Sequence, residues 1–362
     1  MNDYEELIES VAAEIPRRSP FAEGFGVAAA FLEHPHIYGQ VRGLAEAGAK
    51  VTQVFDPDPA KVEAFRKVFP DASPVDAFER LLEDSSTHLV AAAGVPSERA
   101  AVGEAVLRAG KDYFVDKAPF TTLGQAERIR QCIRETGRKF FVFYGERVGT
   151  ESGHFLDRLI ASGTLGGVAH IAIQGPHKLG ITPRPDWFFD KAKSGGILTD
   201  IASHQCDQFL QYGDADDGEV LFARSANYFH RETEGWEDFG EAQFRLANGI
   251  ACSSRVDWLT PAGLPVFGDG RLFLTCEKGT VEVRKTIDLG RSAEGDRVLV
   301  ADEQDTHDLA LAGRLGLPFY PLLIEDCVTR SEKAMHQERA IAAGEMAVRA
   351  QAVADAGNNG DD

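Results

Sequence analysis

Apolar and polar positions follow two different rhythms along this chain. Up to about residue 145, short runs that are apolar throughout take turns with segments whose apolar positions recur every three or four residues. "FGVAAAFL" (25–32), "KVTQVFD" (50–56), "THLVAAAG" (87–94), "DYFVDK" (112–117) and "KFFVFYG" (139–145) predict five strands buried on both faces. Between them, "IYGQVRGLAEAG", "DPAKVEAFRKVF", "SPVDAFERLLED", "SERAAVGEAVLRAG" and "TLGQAERIRQCIRETG" predict helices. Asp58 is placed as an N-cap with Pro59 behind it, and Gly48 and Gly110 stop their helices. Strands alternating with helices make a doubly wound parallel sheet, whose ligands bind at the carboxyl ends of the strands.

Beyond a helix near 151–162 the rhythm changes. "VAHIAIQG", "EVLFARSANYFH", "FGEAQFRLANG", "IACSSRVDW", "RLFLTCEKG", "TVEVRKT" and "RVLVA" alternate apolar with polar, as antiparallel strands with one buried face do. One helical stretch, "LTDIASHQCDQFLQYG", interrupts them, and two helices close the chain before "NNGDD", which reads as a disordered tail. The expected organisation is an N-terminal extension (1–20), a parallel α/β domain (21–148) and an α+β domain with a mostly antiparallel open sheet (149–355). Residues 1–20 read as a short surface helix ending near Pro16.

A length of 362 residues suits two domains. The formal charge of −19 argues against a nucleic-acid or anionic-membrane partner, because no basic field attracts phosphates. Five dispersed cysteines without a C-x-x-C pair read as reduced core thiols, and the N-terminus lacks the apolar stretch of a signal peptide, so a cytoplasmic location is expected. No apolar run is long enough to span a bilayer.

The first turn of the parallel domain is unusual. Where a dinucleotide site carries glycines, this chain has Leu32, Glu33, His34, Pro35, His36 and Ile37. Glycine lets backbone approach a pyrophosphate, but the anion itself is held by N–H groups at the helix start, which any residue but proline supplies. Glu33 must point away from such an anion, and His34 and His36 offer compensating donors. The formal G-x-G-x-x-A match at Gly24 precedes the strand, where it has no such use. Asp56 ends the second strand, where a carboxylate binds the adenosine ribose hydroxyls and repels a 2′-phosphate, or else simply forms a turn before Pro57. Gly94, Val95 and Pro96 end the third strand beside the same crevice, with Ser97 as a possible cap of the next helix.

Lys117 ends a buried strand, where an ammonium needs a partner or a ligand. It is either a solvated strand end or a group that orients a substrate hydroxyl. In "SGGILTDIASHQCDQFL", Gly195 and Gly196 permit close backbone approach, and Asp200 and His204 stand four apart on one predicted helix face. That spacing serves a structural pair or a proton acceptor with its carboxylate. Neither Cys206 beside His204 nor the isolated His34 and His36 have further ligands at metal spacing, so no metal is expected.

Taken in this order, "VDKAPF" and "GGILTDIASHQCD" resemble the strand-end Glu-Lys-Pro and the Gly-Gly…Asp-x-x-x-His helix of the Gfo/Idh/MocA oxidoreductases. The resemblance covers roughly residues 22–352. Asp116 stands where the family has Glu, and Ala118 falls between Lys117 and Pro119. The resemblance implies a Rossmann domain binding NAD or NADP, of which Asp56 favours NAD, and an open sheet that makes homodimers or homotetramers. It implies hydride transfer between nicotinamide and a carbinol or carbonyl of a sugar, cyclitol or related polyol. Lys117 would orient the substrate, Asp200 would be its companion carboxylate and His204 the general base. Asp116 and Trp187 would lie near the cofactor, and Tyr144 and Arg147 would line the substrate cleft. Two other functions share the fold: an NAD-dependent glycosidase, which makes no net NADH, and a non-catalytic dinucleotide sensor.

Overall fold

The computed structural model describes residues 3–14, 16–181, 184–291 and 294–358. It divides into two compact units that interleave along the chain. One comprises Pro16–Phe143 and Pro318–Ile341; the other comprises Met1–Ile15, Tyr144–Leu317 and Ala342–Asp362.

The first unit is built on β1 (Gly26–Ala30), β2 (Lys50–Phe55), β3 (Ser73–Pro74), β4 (Leu89–Ala92), β5 (Asp112–Asp116) and β6 (Phe140–Phe143). All pair in parallel, in the order β3-β2-β1-β4-β5-β6. Every residue of β1, β4, β5 and β6 is buried, which explains the unbroken apolar runs of β1, β4 and β6. The order reverses between β1 and β4, so their carboxyl ends define the ligand crevice. Asp58 caps Pro59–Val68 by accepting from Ala60 N at 2.8 Å, as expected. The helix expected over 73–84 is shorter, Phe78–Glu83, because Ser73 and Pro74 pair with β2 instead. Ser97 caps nothing: it lies in a single 3-10 turn ahead of Arg99–Arg108. Gly26 must be glycine for packing, since a Cβ there would meet Ser86 O at 1.9 Å. The Phe319–Thr329 helix returns to this unit, where the Tyr320 ring fills the space a side chain at Gly43 would need.

The second unit carries β7 (Val168–Pro176), β8 (Gly218–Ala226), β9 (Phe239–Leu246), β10 (Ala251–Asp257), β11 (Arg271–Cys276), β12 (Gly279–Arg284), β13 (Arg297–Asp302) and β14 (Thr306–Ala310). Their order is β14-β13-β12-β11-β7-β10-β9-β8, antiparallel except for the β7–β10 pair. Alternating burial along β9 and β11 gives the sheet one packed face. The Ala202–Tyr212 helix covers part of it, with Phe209 against Phe244 at 5.7 Å. Asp3–Glu14 is less of a surface helix than its acidity suggests: Tyr4, Ile8 and Val11 are buried, and the Tyr4 hydroxyl donates to Asp302 at 2.8 Å. The "NNGDD" tail lies outside the described residues apart from the backbone of Asn358. No helix among the described residues is long and apolar enough to cross a membrane, and all five cysteines are free thiols.

Candidate functional site

In the first unit, β1 runs into a turn that does without glycine. Phe31 takes φ +53°, the left-handed conformation a glycine would adopt, and its ring is held edge-on by Phe55 and Phe78 at 5.5 and 4.9 Å. Gly94 leaves room for it, since a Cβ there would sit 3.1 Å from Phe31 Cβ. The turn's backbone donors are mostly engaged, contrary to the expectation of free N–H groups. Leu32 N donates to Asp56 Oδ2 at 2.6 Å, and His34 N to Ala93 O at 2.9 Å. His36 N donates to His34 Nδ1 at 3.2 Å, while Ile37 N and Tyr38 N reach back to His34 O and Pro35 O. Glu33 points to Lys61 as an ion pair. Asp56, at the end of β2, also accepts from Asp58 N at 2.8 Å, which leaves a lone pair on each oxygen. A cavity of 660 Å³ in this unit lies elsewhere, among Phe25, His88, Lys111 and Arg330 at the amino ends of the strands.

The side chains around this turn converge on Asp116, fully buried at the end of β5. Its Oδ1 accepts from Lys117 N at 2.8 Å and from His36 Nδ1 at 2.9 Å. Its Oδ2 lies 3.1 Å from Arg99 Nη2 and 3.4 Å from His34 Nδ1. Burial pushes the Asp116 carboxyl up, but His36, Arg99 and His34 more than offset this and hold it well below the usual carboxylate range. Burial, and then His36, press His34 well below the usual imidazole range. Among the described residues, His34, His36 and Asp116 are the group that could reach one metal ion. The hydrogen bonds disfavour that use: His36 N–H occupies the His34 Nδ1 lone pair, and the Arg99 guanidinium sits on the carboxylate.

Arg99, which the sequence reading passed over, fixes the strand end. It is 1% exposed and donates to the carbonyls of Gly94 (2.7 Å), Lys117 and Ala118 (3.0 Å) as well as to Asp116. Lys117 is thereby held in a buried position, and the Lys117–Ala118 peptide is cis. Val95 and Pro96 follow β4 as expected, with Pro96 buried.

The second unit holds the other predicted residues. Gly195 and Gly196 both take φ +86°, and a Cβ at Gly196 would meet the Gln351 amide at 2.4 Å. That close approach lets Gln351 Oε1 accept from Leu198 N and Glu237 Oε2 from Ile197 N, both at 2.9 Å, so side chains cap the Ile197–Asp200 turn. The helix expected to carry Asp200 and His204 together is interrupted at Ile201 and restarts at Ala202. The spacing of four is therefore not a pair on one continuous helix. Asp200 acts electrostatically on Arg184, whose guanidinium lies 4.8 Å over both Phe188 and Trp258. Trp187 lies in the 3-10 turn Asp186–Phe189, edge-on to Phe188. His204 is buried, with the Tyr144 ring edge-on at 6.2 Å.

Arg147 departs from its expected place in a substrate cleft. It is buried, bidentate on Asp207 (2.6 and 2.9 Å) and 3.6 Å from Asp157, so its guanidinium is committed to the interior. Its neighbour Glu146, unremarked in the sequence, also meets the His204 helix, through Gln205 Nε2 at 2.9 Å.

A family model for oxidoreductases with an NAD-binding Rossmann fold (GFO/IDH/MocA) matches residues 24–144, and one for the GFO/IDH/MocA C-terminal domain matches residues 155–282. No curated protein matches the chain. Among solved structures, a protein from Erwinia carotovora atroseptica SCRI1043, designated an oxidoreductase, is 38% identical with a TM-score of 0.88, over 91% of this chain and 98% of its own. Levoglucosan dehydrogenase in complex with NADH and levoglucosan is 13% identical (TM-score 0.77; 92% and 97% covered). GenD2 from gentamicin A biosynthesis, in complex with NAD, is 19% identical (TM-score 0.75; 95% and 97% covered). At the last two identities the likeness is one of fold.

Proposed function

The chain belongs to the GFO/IDH/MocA family of oxidoreductases with an NAD-binding Rossmann domain, and on that premise we propose that it is an NAD-dependent dehydrogenase of a hydroxylated carbon in a sugar, cyclitol or related polyol. The observation that carries this reading is His204, a buried imidazole on a helix whose next residue is hydrogen-bonded to a carboxylate. The sugar-derived ligand of levoglucosan dehydrogenase supports the substrate class. When bound, the nicotinamide supplies the hydride acceptor. His204 takes the hydroxyl proton, and the Lys117 ammonium holds the substrate oxygen. Asp200 is the companion carboxylate. The exposed Leu221, Phe222 and Phe273 on the second sheet would be covered in a homodimer or homotetramer.

The dinucleotide end follows from the turn. Asp56 keeps lone pairs for the ribose hydroxyls. With most backbone donors engaged, the imidazoles of His34 and His36 take over the pyrophosphate. Replacing His36 by glycine then weakens NAD binding about tenfold, the loss of one hydrogen bond to a charged group. Calorimetric titration checks this, and an unchanged Kd removes the imidazole from the site. Asp56 gives NAD a lower Kd than NADP, and Asp56→Asn narrows that gap. Tighter binding of NADP by the unaltered protein would contradict the role of Asp56.

The test of the reaction is a panel of polyols, cyclitols and sugars followed by NADH absorbance. Reduction of NAD by at least one member is expected. Release of an aglycone from aryl glycosides without net NADH would instead show the glycosidase reaction, and neither activity despite bound NAD would indicate a sensor.

A further inference from the structure

The stretch "FYGERVG" leaves β6 and makes one helical turn, Gly145–Val148, with Glu146 on it. Glu146 Oε2 accepts from Lys285 Nζ at 2.9 Å, from Gln205 Nε2 at 2.9 Å and from Gln208 Nε2 at 3.4 Å. Lys285 Nζ also donates to Gln208 Oε1 at 2.7 Å, and Gln208 Nε2 to the carbonyl of His204 at 2.9 Å. Gln205 and Gln208 are fully buried and Lys285 nearly so. Gly175 makes space for this cluster, because a Cβ there would lie 2.7 Å from Gln205 Nε2 and 3.5 Å from Glu146 Oε1.

Glu146 is ionised in this setting. Burial pushes its carboxyl up, but the Lys285 ammonium and then the His204 and His177 imidazoles outweigh it, holding the group well below the usual carboxylate range. A carboxylate only accepts, so it turns the Gln205 amide nitrogen toward itself. The Gln205 carbonyl oxygen is then left buried, with no donor among the described residues. Such an orphaned acceptor is costly, and a purely structural network has no reason to carry it.

We propose that Glu146 is a positioning residue for His204, the anion against which its imidazole takes up a proton. Lys285, Gln205 and Gln208 hold Glu146 in that place. The inference rests on the reading of His204 as the proton acceptor. The other charged and titratable groups around this part of the unit include His177 after β7, Tyr144, Tyr212, Asp200 before the helix and the Asp207–Arg147 pair with Asp157 on and beside it.

Glu146→Gln keeps the shape and removes the charge. The imidazolium of His204 then forms at a pH lower by about one unit, as expected when a nearby opposite charge is lost. Lys285→Met leaves the carboxylate less neutralised and moves the midpoint the opposite way. Both are read by NMR titration of the imidazole, assigned by comparison with His204→Gln, in protein whose melting temperature shows it folded. The acid limb of the kcat/KM profile for alcohol oxidation moves with it. An unmoved NMR midpoint in Glu146→Gln, or a shift of the same sign in both variants, overturns the proposal. The NMR reading needs no substrate. A midpoint that moves in a protein that oxidises no polyol refutes the proposed reaction while leaving the His204–Glu146 coupling standing.

Discussion

His204→Ala lowers kcat/KM for polyol oxidation by about 10²–10⁴-fold, the usual contribution of a positioned general base. The side chain is buried beside Tyr144 on the Ala202–Tyr212 helix, and the cut removes the proton acceptor while leaving the helix intact. Affinity for NADH, measured by calorimetry, stays as it was, because the groups proposed to hold the dinucleotide are Asp56, His34 and His36 and not His204. Lys117→Ala gives a loss of similar size, since an uncharged side chain no longer holds the substrate oxygen. Turnover unchanged in both variants would remove the assigned mechanism.

Arg99→Ala destabilises the first unit by about 3–5 kcal/mol, the usual result of removing one partner of a buried ion pair. The guanidinium is 1% exposed and serves Asp116 and the carbonyls of Gly94, Lys117 and Ala118. Without it Asp116 keeps the imidazoles and the Lys117 N–H against its charge, and carbonyls at the strand end lose their donor. Arg99→Lys recovers little, because a single ammonium cannot match the planar fork that reaches acceptors in several directions. The measurement is the urea unfolding midpoint. A loss under about 1 kcal/mol would show that Arg99 is not the clamp of the Lys117 strand end.

The parallel strands were legible because burial on both faces leaves no polar position in β1, β4 or β6. The alternating strands were legible for the opposite reason. Local chemistry was also readable where cause and effect lie close in the chain, as with the Asp58 cap. What escaped depended on distant partners. The Ile197–Asp200 turn ahead of the break at Ile201 is capped at its amino end by Glu237 and Gln351, and neither is near it in sequence. Arg147 is drawn inward by Asp157 and Asp207, and Glu146 is fixed by Lys285 from the end of β12. No pattern around Arg99 announces that its fork meets a strand end and two turns. The left-handed Phe31 was unreadable because aromatic packing against Phe55 and Phe78 does what glycine ordinarily does by lacking a side chain.

Everything functional rests on the claim that this glycine-poor turn still serves a dinucleotide. Calorimetric titration of the full chain with NADH tests it most directly. Saturable binding of one NADH per chain, weakened in His36→Gly and tighter than that of NADPH, is the predicted result. Absence of binding by either dinucleotide would contradict the account at its base.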